Sequence, residues 1–229
     1  MKMLQGSCVL NLSDKTIIFS VGRCGSTTLG MLLSHLGYQC LFEPFKLKDV
    51  HDIKQAAEIL DNSGNFSCYK TLYYQAEEEV YKELLQRSGK IIYLKRKNEL
   101  QGGISRAIVN QTNSWHQHPD KCPELNLSII NHHIKECRKS DRLMEQFPEA
   151  MVVHYETLMG CNHLRKRLEV LGEICSFLGV SLVEDERISM LLSPALRVNP
   201  EEVYSKIPNI KQIEQRFGSP YLADFPLFL

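Results

Sequence analysis

The stretch Ile17-Ile18-Phe19-Ser20-Val21-Gly22-Arg23-Cys24-Gly25-Ser26-Thr27-Thr28-Leu29 constrains this chain most, because an apolar strand runs through a Gly/Ser/Thr turn straight into a helix. Leu29, Leu32, Leu33 and Leu36 recur at i, i+3, i+4 and i+7, which makes one apolar helical face. Ser26, Thr27 or Thr28 then stands at the helix N-terminus, where free backbone N–H groups and the positive end of the helix dipole converge. The glycines let main chain approach a ligand closely, and Arg23 adds a fixed positive charge. Such a turn is built to hold an anion. It is not the Gly-x-x-x-x-Gly-Lys-Ser/Thr loop of ordinary kinases and ATPases, since no lysine precedes the hydroxyl residues.

A second strand-to-helix passage spans Lys90 to Ile108. Lys95, Arg96 and Lys97 crowd the carboxyl end of its strand, the edge where ligands bind in open α/β sheets, and so suggest a second phosphate subsite. Gly102 and Gly103 interrupt a helical pattern of Leu100, Ile104, Ala107 and Ile108, where each costs about 1 kcal/mol relative to alanine. Something across the helix needs the space that their side chains would fill.

Further strands are expected at 16–21, 67–72, 90–95 and 150–154, with helices near 27–36, 50–61, 76–87, 98–111, 127–146 and 162–178. Alternation of this kind predicts an α/β fold of three layers, a mainly parallel central sheet flanked by helices and resembling P-loop folds, as one domain over residues 1–229. With 43% hydrophobic residues in 229, the chain can bury a substantial core. Its formal charge of zero leaves no broad cationic field for nucleic acid. No apolar run approaches the ~20 residues of a membrane span, and Met1 to Lys15 lacks a basic start followed by an apolar core, so a cytoplasmic protein is expected. The eight cysteines contain no Cys-x-x-Cys and read as reduced thiols, Cys24 included as a loop-filling residue. The histidine and cysteine spacings match no zinc pattern, so no metal is expected.

Taken in order, the two passages resemble the sulfotransferase superfamily that uses 3′-phosphoadenosine-5′-phosphosulfate (PAPS). The first is similar to its 5′-phosphosulfate loop, Pro-Arg-x-Gly-Ser-Thr-x-Leu, with Gly22 in place of proline. The second is similar to its 3′-phosphate element, an arginine ending a strand and a serine two helical turns on, here Arg96 and Ser105. The run from Ala107 to Trp115-His116-Gln117 is most similar to the bacterial Stf0-type branch, whose known member sulfates trehalose. Glu43-Pro44-Phe45, Tyr69-Lys70-Thr71 with Gln75, and Tyr155-Glu156-Thr157-Leu158 match further family elements. Near the C-terminus Val198-Asn199-Pro200, Ile207, Asn209 and Gly218 resemble carbohydrate sulfotransferases.

The resemblance implies sulfuryl transfer from PAPS to a hydroxyl or amine of a small-molecule or carbohydrate acceptor, leaving adenosine 3′,5′-bisphosphate. Arg23, Cys24, Gly25, Ser26, Thr27 and Thr28 would hold the 5′-phosphosulfate, and Arg96 with Ser105 the 3′-phosphate. Lys70 would reach the sulfuryl group, and Glu43 is the candidate base, either free to act or paired with Arg23 or Lys46. His116 and His118, on a polar loop over the site, are reserve bases, and Trp115 is a candidate for stacking. Glu156 is read as ordering a strand end. The rival readings are a P-loop kinase or NTPase and a non-catalytic module on the same fold. Oligomeric state is open, a homodimer included.

Overall fold

The computed structural model describes residues 12–46, 48, 50–114, 122–193 and 204–217. Its centre is a five-stranded sheet of β1 (Thr16–Ser20), β2 (Cys40–Phe42), β3 (Cys68–Leu72), β4 (Lys90–Lys95) and β5 (Met151–His154), in the order β2-β3-β1-β4-β5. Every strand pair is parallel, with Ile18 opposite Lys70 on one side and Ile92 on the other. Parallel neighbours need crossovers, and α1 (Ser26–His35), α2 (Ile53–Asp61), α3 (Glu78–Arg87), α4 (Glu99–Thr112) and α5 (Leu127–Met144) supply them. After β5 come α6 (Leu164–Leu178), the short α7 (Glu186–Leu191) and α8 (Ile210–Phe217).

Alternation along the strands divides the interior. Ile17, Phe19, Tyr69, Ile91 and Tyr93 face Ala56, Leu60, Val80, Leu84 and Leu143 of α2, α3 and α5. Ile18, Cys68, Ile92, Leu94 and Val153 face Leu29, Leu32, Leu33, Leu171, Ile174 and Ile188 of α1, α6 and α7. All five residues of β1 are buried, as expected for a central strand covered on both faces. A third cluster joins α4 and α5 to Tyr204, Ile207 and Ile213. Gly102 and Gly103 make that contact possible: a methyl group on Gly102 would lie 2.7 Å from His133 Nε2, and one on Gly103 would lie 3.0 Å from Ile130 Cγ2.

The four expected strands are present within two residues of their predicted ends. The edge strand β2 and the helices α7 and α8 are additions to the sequence reading. The cysteine reading needs one correction. Cys40 and Cys68 sit directly opposite on β2 and β3 with their Cα atoms 4.8 Å apart, and they are disulfide-bonded. Register across the sheet, not spacing along the chain, brings them together, so these two do not read as reduced thiols. Among the described residues, no helix is long and apolar enough to cross a membrane.

Candidate active site

With β3 and β4 on either side of β1, the loop after β1 opens at the carboxyl edge of the sheet, between the ends of its neighbours. Two residues of that loop adopt left-handed backbone, Arg23 at φ 72° and Gly25 at φ 80°. A methyl on Gly25 would also lie 2.9 Å from Met159 Cγ, so both conformation and packing require glycine here. Gly25 is the N-cap of α1, no side chain caps the helix, and its first turn contains no acidic residue. The amides of Ser26, Thr27 and Thr28 therefore keep their capacity to bind an anion. The Cys24 side chain points the other way, into the core, where burial pushes its thiol up to about 12. Only its backbone can face a ligand.

Glu43 and Lys70 are brought together at the neighbouring strand ends. Phe42 pairs with Lys70 in register, and the Glu43 amide donates to the Lys70 carbonyl at 2.7 Å. Lys70 Nζ forms an ion pair with Glu43 Oε1 and lies 3.4 Å from Thr27 Oγ1 on the anion loop. Gln75 Nε2 donates to the second Glu43 oxygen at 2.8 Å, while its own carbonyl accepts from Leu72 N at 3.0 Å. The partner of Glu43 is thus Lys70 rather than Arg23 or Lys46. Glu43 is itself left-handed at φ 49°, a conformation costly for a residue with a side chain. Burial alone would push its carboxyl up, but Lys70 and Gln75 outweigh that and hold it below the usual glutamate range. Burial lowers Lys70, and Glu43 pulls it back toward the charged form. The result is an ionised carboxylate and an almost inaccessible ammonium, whose side chain is 2% exposed, beside the loop.

The cations form a second group. Arg23 Nε donates to Ser105 Oγ at 3.0 Å, so the two expected phosphate subsites adjoin. Arg96 turns inward from the end of β4. It donates to Gln101 Oε1 and, at 3.4 Å, to the Arg23 carbonyl, and its guanidinium stacks 4.3 Å above the Tyr155 ring. Its Nε is buried without an acceptor among the described residues. No carboxylate among the described residues forms an ion pair with Arg23 or Arg96, although Arg96 is only 8% exposed. The other two cations of the sequence reading go elsewhere: Lys95 pairs with Asp141 at 2.7 Å, and the Lys97 amide, with that of Asn98, donates to the Glu156 carboxylate at 3.1 Å. Glu156 thus orders the β4–α4 turn.

Sequence reasoning passed over Arg106, Tyr74 and His133. Arg106 stacks 4.3 Å from the Tyr74 ring centre and reaches the anion loop, where a methyl on Gly22 would meet its Nη1 at 2.8 Å. The replacement of proline by Gly22 was the available signal, since a side chain there would displace Arg106. His133 is 1% exposed, and its burial and the charges of Arg106, Arg96 and Arg23 drive its pKa down to about 3. Trp115, His116 and His118 lie outside the described residues, as do Val198-Asn199-Pro200 and Gly218.

No protein-family model and no curated protein matches the chain. Solved structures do. The sulfotransferase domain of the Synechococcus PCC 7002 olefin synthase is similar at TM-score 0.50 and 15% identity, over 96% of this chain and 99% of that one. The sulfotransferase domain from the curacin biosynthetic pathway matches at TM-score 0.49 and 14% identity, over 92% and 99%. Mouse sulfotransferase SULT7A1, solved in complex with PAP, matches at TM-score 0.49 and 14% identity over 79% of this chain, which spans 63% of the mouse chain. The α/β fold of this chain, a parallel sheet flanked by helices, is one it shares with the olefin synthase sulfotransferase domain.

Proposed function

We propose that the chain is a sulfotransferase that moves a sulfuryl group from PAPS to a hydroxyl or amine of a small-molecule or carbohydrate acceptor by in-line displacement. The observation that carries this reading is the pair Arg23 and Arg96, largely withdrawn from water beside an uncapped helix N-terminus and ion-paired with no carboxylate among the described residues. Uncompensated buried charge is costly, several kcal/mol per ion after relaxation, and a bound anion removes that cost. Two adjoining cationic subsites suit a ligand with phosphate at two positions, and the missing loop lysine argues against a nucleoside triphosphate.

PAPS supplies an activated sulfuryl group whose departing oxygen gathers negative charge, as in phosphoryl transfer. The amides of Gly25 to Thr28, the Ser26 and Thr27 hydroxyls and Arg23 stabilise that charge, while Arg96 and Ser105 hold the 3′-phosphate. Lys70, already within reach of Thr27, turns its ammonium toward the transferring group. Glu43, ionised and oriented by Gln75, takes the acceptor proton on Oε1 or Oε2. Because Lys70 lowers the basicity of Glu43, the two act as a unit: movement of Lys70 toward the sulfuryl oxygens releases the carboxylate at the moment a base is needed.

The test is radiolabelled sulfuryl transfer from PAPS across a panel of hydroxyl and amine acceptors, with Glu43→Gln alongside. The reading expects Glu43→Gln to keep its affinity for adenosine 3′,5′-bisphosphate and to lose turnover by roughly 10²-fold or more. Unchanged turnover would remove Glu43 from the base role. No preference for the 3′,5′-bisphosphate over ADP would overturn the cofactor assignment.

A further inference from the structure

A cleft of about 470 Å³ opens between α4 and α5, lined among others by Arg106, Asn110, His132, His133, Lys135 and Glu136. Arg106 connects it to the anion loop, because the same guanidinium lies against Gly22 and the Tyr74 ring. Tyr74 precedes Gln75, the residue that holds Glu43, and the charges of both Glu43 and the cleft residue Glu136 act on the Tyr74 hydroxyl.

Two side chains on the cleft wall have hydrogen-bonding capacity the fold does not use. Arg106 hydrogen-bonds the Tyr74 hydroxyl but makes no ion pair with any described carboxylate, and its Nη1 is buried without an acceptor among the described residues. His133 is 1% exposed, and among the described residues its Nδ1 has no hydrogen-bond partner and its Nε2 has the Cys137 sulfur at 3.6 Å. Glu136, the one carboxylate on the wall, lies 3.2 Å from His132 rather than on Arg106. Arg106 and Lys135 against Glu136 leave the lining one positive charge in excess, counting the histidines as neutral. A monoanion balances that excess, whereas a dianionic phosphate would overshoot it. The planar guanidinium fork matches a carboxylate in two parallel hydrogen bonds.

We propose that the α4–α5 cleft anchors the acceptor by a carboxylate held by Arg106, so that the acceptors of this protein are hydroxy or amino acids in the broad chemical sense, with the acid group remote from the group that is sulfated. The inference rests on the sulfotransferase reading above and adds the substrate class. Arg106 is a specificity residue: it grips the acceptor and leaves the phosphates to Arg23 and Arg96. Gly22 follows from the same arrangement, since a residue with a side chain at that position would push the guanidinium off the loop.

The experiment uses 4-hydroxybenzoate and its uncharged isostere 4-hydroxybenzamide as probes, with binding followed by saturation-transfer NMR and titration. Each is offered to the full chain with and without saturating adenosine 3′,5′-bisphosphate, as wild type, Arg106→Gln and Arg106→Lys. The expected result is a preference for the acid of about 10-fold in the wild type, as for a charge-assisted hydrogen bond. The preference falls to near one in Arg106→Gln and is partly kept in Arg106→Lys, which retains charge but loses the fork. Nucleotide affinity stays within about twofold in a folded variant. Equal binding of acid and amide, or a preference that survives Arg106→Gln, overturns the proposal, as does a large loss of nucleotide affinity in Arg106→Gln, which would assign Arg106 to the nucleotide. If the wild type binds no nucleotide, the sulfotransferase reading fails instead, and the acid-to-amide ratio on the protein alone still decides the role of Arg106.

Discussion

His133 makes acid stability a direct readout of the arginine cluster. Its imidazole is buried against Gly102 with Arg106, Arg96 and Arg23 around it, and its pKa falls from 6.5 to about 3. A group that resists protonation only when folded contributes stability above its unfolded pKa and loses it as pH falls toward the folded value. Below 6.5 the unfolded chain gains a proton that the native protein refuses. One pKa unit is worth about 1.4 kcal/mol, so moving from about pH 7.5 to about pH 5 removes about 2 kcal/mol through this residue alone. For a domain of this size that is about 4–8 °C in Tm. Other groups titrate over the same range, so the assay compares the pH dependence of urea or thermal unfolding in wild type and His133→Gln. The variant is expected to lose about 2 kcal/mol less on acidification, whatever its stability at neutral pH. Saturating adenosine 3′,5′-bisphosphate should shrink the acid loss of the wild type, because bound phosphates offset the arginine field. An identical acid loss in wild type and variant would refute the reasoning.

The Glu43–Lys70 pair predicts non-additivity: Lys70→Met, which strands a partly buried carboxylate, is expected to cost about 3 kcal/mol, and adding Glu43→Gln should recover much of it in a double-mutant cycle by urea unfolding. Gly25→Ala must adopt φ 80° and displace Met159, so a loss of about 1–2 kcal/mol together with weaker nucleotide binding is expected from thermal shift and titration. The Cys40–Cys68 disulfide closes a sequence separation of 28, for which chain entropy gives about 3–4 kcal/mol; peptide mapping without reductant should find the linked pair, and Cys68→Ser should lower stability by about that amount.

What the sequence disclosed about the fold followed from periodicity. Residues 16–36 and 90–111 declare strand, turn and helix within themselves, because buried strands of Ile and Phe and helices with a Leu stripe carry their own pattern. β2 did not, since Cys40-Leu41-Phe42 is three partly exposed residues at a sheet edge and its partner lies 28 residues away. Helices α7 and α8 are short and bury few side chains, Ile188 and Leu191 in one and Ile213 in the other, so their stripes are thin. The site was legible to the extent that its residues belong to a contiguous motif. Arg23 with Ser105, and Glu43 with Lys70, became pairs only when parallel register set their strand ends side by side. Arg106 stayed unread because helical spacing gives a face and not what lies across it; the clue was Gly22, whose missing side chain leaves room for a guanidinium from a helix far along the chain.

The central claim is that the buried arginines hold a nucleotide with phosphates at both the 3′ and 5′ positions, and calorimetric and thermal-shift titration with adenosine 3′,5′-bisphosphate tests it most directly. ADP, and ATP with magnesium, serve as controls, and Arg96→Ala is titrated in parallel. At about a hundred times Kd, a ligand specific for the native state adds about 2.7 kcal/mol, roughly 5–10 °C here. The account predicts that shift for the 3′,5′-bisphosphate alone and its loss in Arg96→Ala. A shift with ATP and magnesium, or none with any nucleotide, would contradict it.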